Sequence, residues 1–398
     1  MINIYNGSLD KTITVDRIIF EKKGSKKEPT VVFFACVHGN ETAGVFALKE
    51  VLDQLNESQI NGAIYAIVGN LKALEANQRY IDEDLNRIWT KFKINQINTK
   101  HRLSSEEKEQ KEIFQILERI IGEHSGPLYF IDLHTTSSKT LPFITINDAL
   151  INRKFSKLFP VPIVLGIEEY LEGPMLSYIN ELGYVSIGFE SGQHDEVDAV
   201  LNAIAFINLT LVYSGVMIKE AISNLEDYYN RLINESKGTD DLFEVVYLYT
   251  IKEGETFAMR PGFKSFEKIN KKTPLATSNN QPIISNFNAR IFMPLYQSKG
   301  KDGFFIIRKI RPIFLKLSAS LRALKLDRLL VLLPGVSWEN KDERTLQVNL
   351  KTARFLTKPL FHLLGYRNKH INKDYMKLYN REWISKTNMY KNEKWFKR

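Results

Sequence analysis

Three times in the first half of the chain, an apolar run without helical period breaks off at an ionisable side chain. Val31 to Val37 stops at His38, Gly39, Asn40 and Glu41. Leu128 to Leu133 stops at His134, and Val185 to Phe189 stops at Glu190. Such short runs, rich in β-branched and aromatic residues, predict buried strands. Gly62 to Asn70, Pro142 to Ile146 and Pro162 to Gly166 read the same way, after an opening strand at Thr12 to Val15 and a lysine-rich turn around 24–27. Between the strands the period changes. Val45 to Leu52, 104–124 (apolar face Ile113, Ile116, Leu117, Ile120), Pro174 to Leu182 and Val197 to Val212 are spaced as helices. The alternation predicts an α/β fold over 1–225: a mostly parallel, mixed sheet covered by helices on both faces.

Beyond it the pattern loses its regularity. Asn224 to Asp241 is polar and reads as a linker after a helix. Residues 242–310 hold short strand candidates between Gly, Pro and Asn, which predicts a smaller β-rich domain. Residues 311–398 form a basic, partly helical C-terminal extension, with basic amphipathic helices over 313–335 and no clear period from Gly365 onward.

The composition, 43% hydrophobic and 25% charged over 398 residues, is that of an ordinary globular protein. The net charge of +9 is unevenly held: residues 306–398 carry 22 Lys and Arg against 7 Asp and Glu, the first 305 residues 33 against 39. Cys36 is the only cysteine, which excludes an intrachain disulfide. Met1 to Ser8 has no secretory pattern and no apolar run is long enough to span a bilayer, so a cytoplasmic protein is expected. No nucleic-acid module accompanies the basic end, and nucleic acid is not expected as a partner. A weak membrane-surface contact through the basic helices is one reading of the extension; packed helices with solvated lysines is the favoured one. A homo-oligomer stays open.

The strand ends carry the chemistry. Ligands bind outside the carboxyl ends of strands in open α/β sheets. Two His and one Glu are a known catalytic zinc set, which His38, Glu41 and His134 can supply. Such a site needs a base for the attacking water, a place for Glu190. It needs a cation for the oxyanion, which Arg79 offers. Arg87 with Asn86 suits a substrate carboxylate. Each residue alone has a plainer reading: His-x-x-Glu is common, Glu190 can cap the next element, and both arginines can be surface charges. His194 reads as a loop histidine and Cys36 as core packing. The joint pattern, each member following an apolar strand, favours the site.

His38 to Glu41, then Arg79 with Asp84 to Arg87, then Asp132 to His134, then Gly188 to Glu190 resemble, in order and spacing, the succinylglutamate desuccinylase/aspartoacylase family of the zinc carboxypeptidase-like clan. The resemblance covers about residues 28–310. It implies one zinc on His38, Glu41 and His134, Glu190 as general base, carbonyl polarisation by Arg79, and substrate-carboxylate contacts from Asn86 and Arg87. It also implies that 242–310 narrows the entrance. The implied activity is zinc-dependent hydrolysis of an N-acyl amino acid. A carboxypeptidase-type peptidase is the alternative among enzymes, and a non-catalytic membrane-peripheral or binding module the alternative outside them. One departure stands out: Tyr170 to Leu182 lacks the further arginine that the family places ahead of the base strand, which leaves specificity for aspartate or succinate open. The loop at 294–305 also differs; it reads as a plain hairpin, with presentation of Tyr296, Gln297 or Lys301 to a substrate as the alternative.

Overall fold

A computed structural model describes residues 1–24, 29–353, 357–370 and 374–397. The lysine-rich turn expected around 24–27 falls mostly outside them. The strands in chain order are β1 (Ile2–Asn6), β2 (Lys11–Val15), β3 (Ile18–Lys23), β4 (Thr30–Ala35), β5 (Ala63–Val68), β6 (Leu128–Thr136), β7 (Phe143–Ile146), β8 (Ile163–Leu165), β9 (Val185–Gln193) and β10 (Leu242–Thr250). They continue with β11 (Phe257–Met259), β12 (Lys268–Ile269), β13 (Pro274–Ser278), β14 (Gln281–Ile284), β15 (Ala289–Phe292), β16 (Asp302–Lys309), β17 (Val336–Asn340), β18 (Thr345–Asn349), β19 (Tyr366–His370) and β20 (Tyr375–Asn380).

One mixed sheet runs through the molecule in the order β12-β15-β16-β10-β8-β7-β9-β6-β4-β5-β3. Its centre is parallel from β9 through β6 and β4 to β5. Every residue of β4 and β5 is buried, because helices cover both faces. Alternate residues divide between the two layers: Val31, Phe33 and Ala35 meet the layer holding the helices Ala43–Leu52 and Val197–Tyr213, while Val32 and Phe34 meet the layer holding Ser105–Glu123. The Ser105–Glu123 helix starts on a capping box between Ser104 and Glu107.

Three features differ from the sequence reading. The stretch read as a linker contains the helix Leu225–Glu235, whose few apolar residues suffice because Leu225 and Leu232 reach the core. The β-rich segment is continuous with the main sheet: Leu242 to Glu244 pair in parallel with Ile163 to Leu165, and β16 and β15 follow outward. Only β11, β13 and β14 form a separate sheet within it. The basic extension, read as partly helical, also carries an antiparallel sheet, β17-β18-β20-β19, with its own core around Leu346, Val348, Tyr366 and Leu378. Among the described residues no helix is long and apolar enough to cross a membrane.

The extension is tied to the main body at two places. Asp148, buried after β7, meets Arg153 of its own segment and Arg322 and Arg367 of the extension, the last two at 2.9 and 2.5 Å. Further along, Tyr390 and Trp395 enter the main core; the Tyr390 hydroxyl donates to the Leu128 carbonyl at 2.6 Å and accepts from the Val185 amide at 3.0 Å.

Candidate metal centre

The chain leaves β4 through Cys36, whose φ of 56° lies in the left-handed region, a conformation that holds strain in a non-glycine residue. The turn that follows runs against the backbone of the Leu71–Glu75 helix. A Cβ on Gly39 would lie 2.1 Å from the Ala73 carbonyl carbon, so only glycine fits. This turn brings His38 and Glu41 to the mouth of the sheet. His134 and Glu190 arrive from β6 and β9, where they are register partners.

Glu41 stands between the two imidazoles. His38 Nδ1 lies 2.9 Å from its Oε1, His134 Nδ1 lies 2.9 Å from its Oε2, and the Thr135 amide donates to Oε2 at 3.1 Å. The far nitrogens are held as well: His134 Nε2 by Asp132 at 2.7 Å and His38 Nε2 by Asp84 at 3.0 Å. Both nitrogens of each ring thus face carboxylates, and His38 Nε2 also lies 2.9 Å from Arg79 Nη2. Lone pairs from two imidazoles and a carboxylate, on ligand atoms all within 4.8 Å of one another, repel unless a cation or a proton sits among them. The donor set, with carboxylates behind both rings, suits a metal ion. Burial raises the Glu41 carboxyl, but the two imidazoles outweigh it and hold it well below the usual range.

Arg79 lies beside this group. Its Nη1 is 3.5 Å from Glu41 Oε1, and its Nε and Nη2 donate to Asp84 Oδ2 at 3.2 and 3.1 Å. Burial works against the guanidinium's charge, yet Asp84 and Glu41 keep its pKa above the ordinary value. The loop carrying Arg79 hangs on one buried carboxylate: Glu106 accepts from the amides of Ile81, Asp82 and Glu83 at 2.7, 3.0 and 3.1 Å and from Asn70 Nδ2 at 3.0 Å.

Glu190 differs from Glu41. It is 7% exposed, its Oε2 has no hydrogen-bond partner among the described residues, and burial pushes its pKa up to about 8. A carboxyl so placed is a candidate proton carrier near neutral pH.

The site opens into a cavity of about 830 Å³. Asn86 and Arg87 both line it. The Asn86 side-chain Oδ1 accepts from the Met175 amide at 2.9 Å, and Arg87 pairs with Asp302 of β16 at 2.6 Å. Lys93 is paired with Glu83. Lys301 also lines the cavity and has no ion pair among the described residues. Tyr296 instead turns its hydroxyl to the Arg260 carbonyl at 2.7 Å. His194 is drawn in too: its Nδ1 lies 2.7 Å from the Thr135 hydroxyl, and it shares the cavity wall with Gln297. Asp84, Glu106, Asp302 and the Thr135–His194 pair had no role in the sequence reading. Asp132 was legible in principle, since two residues before His134 on a strand means the same face.

Residues 27–206 match the model of the succinylglutamate desuccinylase/aspartoacylase catalytic domain. Through this region the chain is similar to the succinylglutamate desuccinylase/aspartoacylase family. It is 31% identical over 146 residues to a succinylglutamate desuccinylase of Shewanella pealeana, covering 35% of this chain and 41% of that one. It is 27% identical over 161 residues to a probable aspartoacylase of Acaryochloris marina, covering 39% and 52%. The chain thus spans about two fifths to a half of these curated relatives. Among solved structures, a succinylglutamate desuccinylase/aspartoacylase from Rhodobacter sphaeroides is similar with TM-score 0.54 at 14% identity, over 73% of this chain and 88% of that one. The product-bound ectoine utilization protein EutE (DoeB) from Ruegeria pomeroyi also gives 0.54, at 16% identity, over 73% and 87%. At these identities the likeness is one of fold. The family's α/β architecture and a His-Glu-His group able to hold a metal are both present here.

Proposed function

We propose that this chain is a member of that family and hydrolyses the amide bond of an N-acyl amino acid, with zinc held by His38, Glu41 and His134. The observation that carries the reading is the contrast between two buried glutamates: Glu41 faces two imidazoles, while Glu190, on the neighbouring strand, keeps an unpartnered oxygen and a raised pKa. When bound, zinc supplies Lewis acidity to a carbonyl and acidifies water. Glu190 takes the proton of the attacking water and returns it to the leaving amine. Arg79, held in place by Asp84, meets the charge that develops on the carbonyl oxygen. Arg87, Asn86 and Lys301 contact the amino acid carboxylate, which displaces Asp302 from Arg87. Thr145, Asn147, Ser177 and Ser186 also line the cavity and offer hydrogen-bonding groups to the acyl part of the substrate.

The test is metal analysis of the purified chain, followed by a panel of acetyl-, propionyl- and succinyl-amino acids and short peptides, with Glu190→Gln alongside. Stoichiometric zinc, turnover of N-acyl amino acids and loss of turnover in Glu190→Gln are expected. Absence of zinc sinks the reading. Equal activity of the variant removes Glu190 from its role, and cleavage of peptides alone transfers the chain to the carboxypeptidase type.

A further inference from the structure

The two most buried side chains of the helix Pro312–Ala323, Ser318 and Arg322, are polar, and Leu315 and Leu321 pack beside them against the cores. The Ser318 hydroxyl donates to the Leu363 carbonyl at 2.8 Å, and Arg322 is buried against Asp148 and Glu382 at 2.9 Å each. Outward stand Ile313, Leu317 and Leu324, 68%, 43% and 69% exposed. At about 100° per residue these three fall within roughly 40° of one direction. Phe314 is exposed beside them, and the following turn, Leu326–Leu332, adds Leu329 and Leu332. Six of the eighteen exposed large hydrophobic side chains among the described residues therefore occupy the twenty positions 313–332. Exposed apolar patches concentrated in this way mark interaction surfaces.

The charges around the patch say what it meets. Arg311, Lys316, Lys325 and Arg328 are exposed and have no ion pair among the described residues. The one acid in this stretch, Asp327, turns away toward Tyr366, Asn380 and Arg344. An apolar face ringed by unpaired cations complements the surface of a bilayer with anionic headgroups. A second copy offering the same face would set four cations against four. We infer that the Pro312–Ala323 helix and the turn after it seat this protein on an anionic lipid surface. The apolar side chains enter the headgroup layer and the four cations meet lipid phosphates.

The experiment is co-sedimentation of the full chain with phosphatidylcholine vesicles and with phosphatidylcholine/phosphatidylserine vesicles. Ile313→Glu/Leu317→Glu and Arg311→Glu/Lys316→Glu are run beside the wild type, and circular dichroism checks the fold of each. All four altered positions are exposed, so both variants should fold. The expected result is wild-type binding to the serine-lipid vesicles only, weakened by salt and reduced at least tenfold in each variant. Wild-type protein left in the supernatant with both vesicle types overturns the inference, as does undiminished binding by Ile313→Glu/Leu317→Glu. A dimer seen in sedimentation velocity and abolished by that variant, without lipid binding, also overturns it and gives the face to a second copy.

Discussion

Replacing Glu106 by Gln tests how the loop carrying Arg79 is held. The carboxylate is fully buried and accepts four hydrogen bonds, two on each oxygen: Ile81 and Asn70 on Oε1, Asp82 and Glu83 on Oε2. A carboxamide has the same shape but only one acceptor oxygen. Whichever way it turns, two of the four donors face an NH2 group. Hydrogen bonds to a charged acceptor are worth about 1.5–3 kcal/mol each. Two lost bonds thus amount to about 3–6 kcal/mol, and the half-exposed loop can recover part of this from water, which leaves about 3 kcal/mol. Because the loss falls on the anchoring of 79–87 rather than on the sheet, local opening is the expected readout. By hydrogen–deuterium exchange mass spectrometry, a peptide covering Ile81 to Glu83 should lose about 100-fold in protection, since each 1.4 kcal/mol is tenfold. Peptides from β4 and β6 should be unchanged. Unaltered exchange at 81–83 in a folded Glu106→Gln protein would refute the reasoning.

Asp132→Asn removes the carboxylate behind His134, so zinc affinity should fall about 10–100-fold in chelator competition; wild-type affinity would show that the ring needs no such support. Asp302→Asn frees Arg87, so KM for a carboxylate-bearing substrate should drop several-fold; an unchanged KM removes Arg87 from substrate contact. Asp148→Asn leaves three guanidiniums around a neutral group and should cost about 3–5 kcal/mol in urea unfolding; a cost below about 1 kcal/mol would contradict the pairing, on the scale of exposed ion pairs. The pH dependence follows in sign. Burial raises the Asp148 carboxyl, but Arg153, Arg322 and Arg367 outweigh it, so the folded pKa lies well below the usual 3.8. A depressed folded pKa gives stability that is fully present above the unfolded value and is lost as pH falls below it. The wild type should therefore lose this contribution only below about pH 4, and the Asn variant should lack that part of the acid limb.

The strand ends were legible because a buried strand writes its limits into a few consecutive residues. β4, β6 and β9 fall where the apolar runs lie, and they bring His38, Glu41, His134 and Glu190 together. What was not legible is non-local. Nothing near Leu242 says that it will pair beside Ile163, so the β-rich segment looked independent of the main sheet. Glu106 resembles any acid in the first turn of a helix until the loop 81–83 is seen folded over it. The C-terminal sheet does carry a period of two, with Leu346 and Val348 inward on β18 and Met376 and Leu378 inward on β20. Those strands are only five and six residues long, and the basic sequence around them masked the alternation.

The seating of Tyr390 and Trp395 has a consequence for the order of events during synthesis. Tyr390 bridges the backbones of β6 and β9, the two strands that carry His134 and Glu190. Trp395 reaches the hydroxyl of Tyr129 at 3.0 Å. At about 5–20 residues per second, these aromatics leave the ribosome roughly 10–40 s after the helix Val197–Tyr213. For that interval the strands exist but the core that receives the two aromatics lies open. Nascent chains arrested before Tyr390 should accordingly be cut by protease within 128–193, and chains arrested with the 387–397 segment emerged should resist; equal resistance would mean that the core closes without it. The strands that hold the candidate site are thus translated early and locked late, at the ends remote from it.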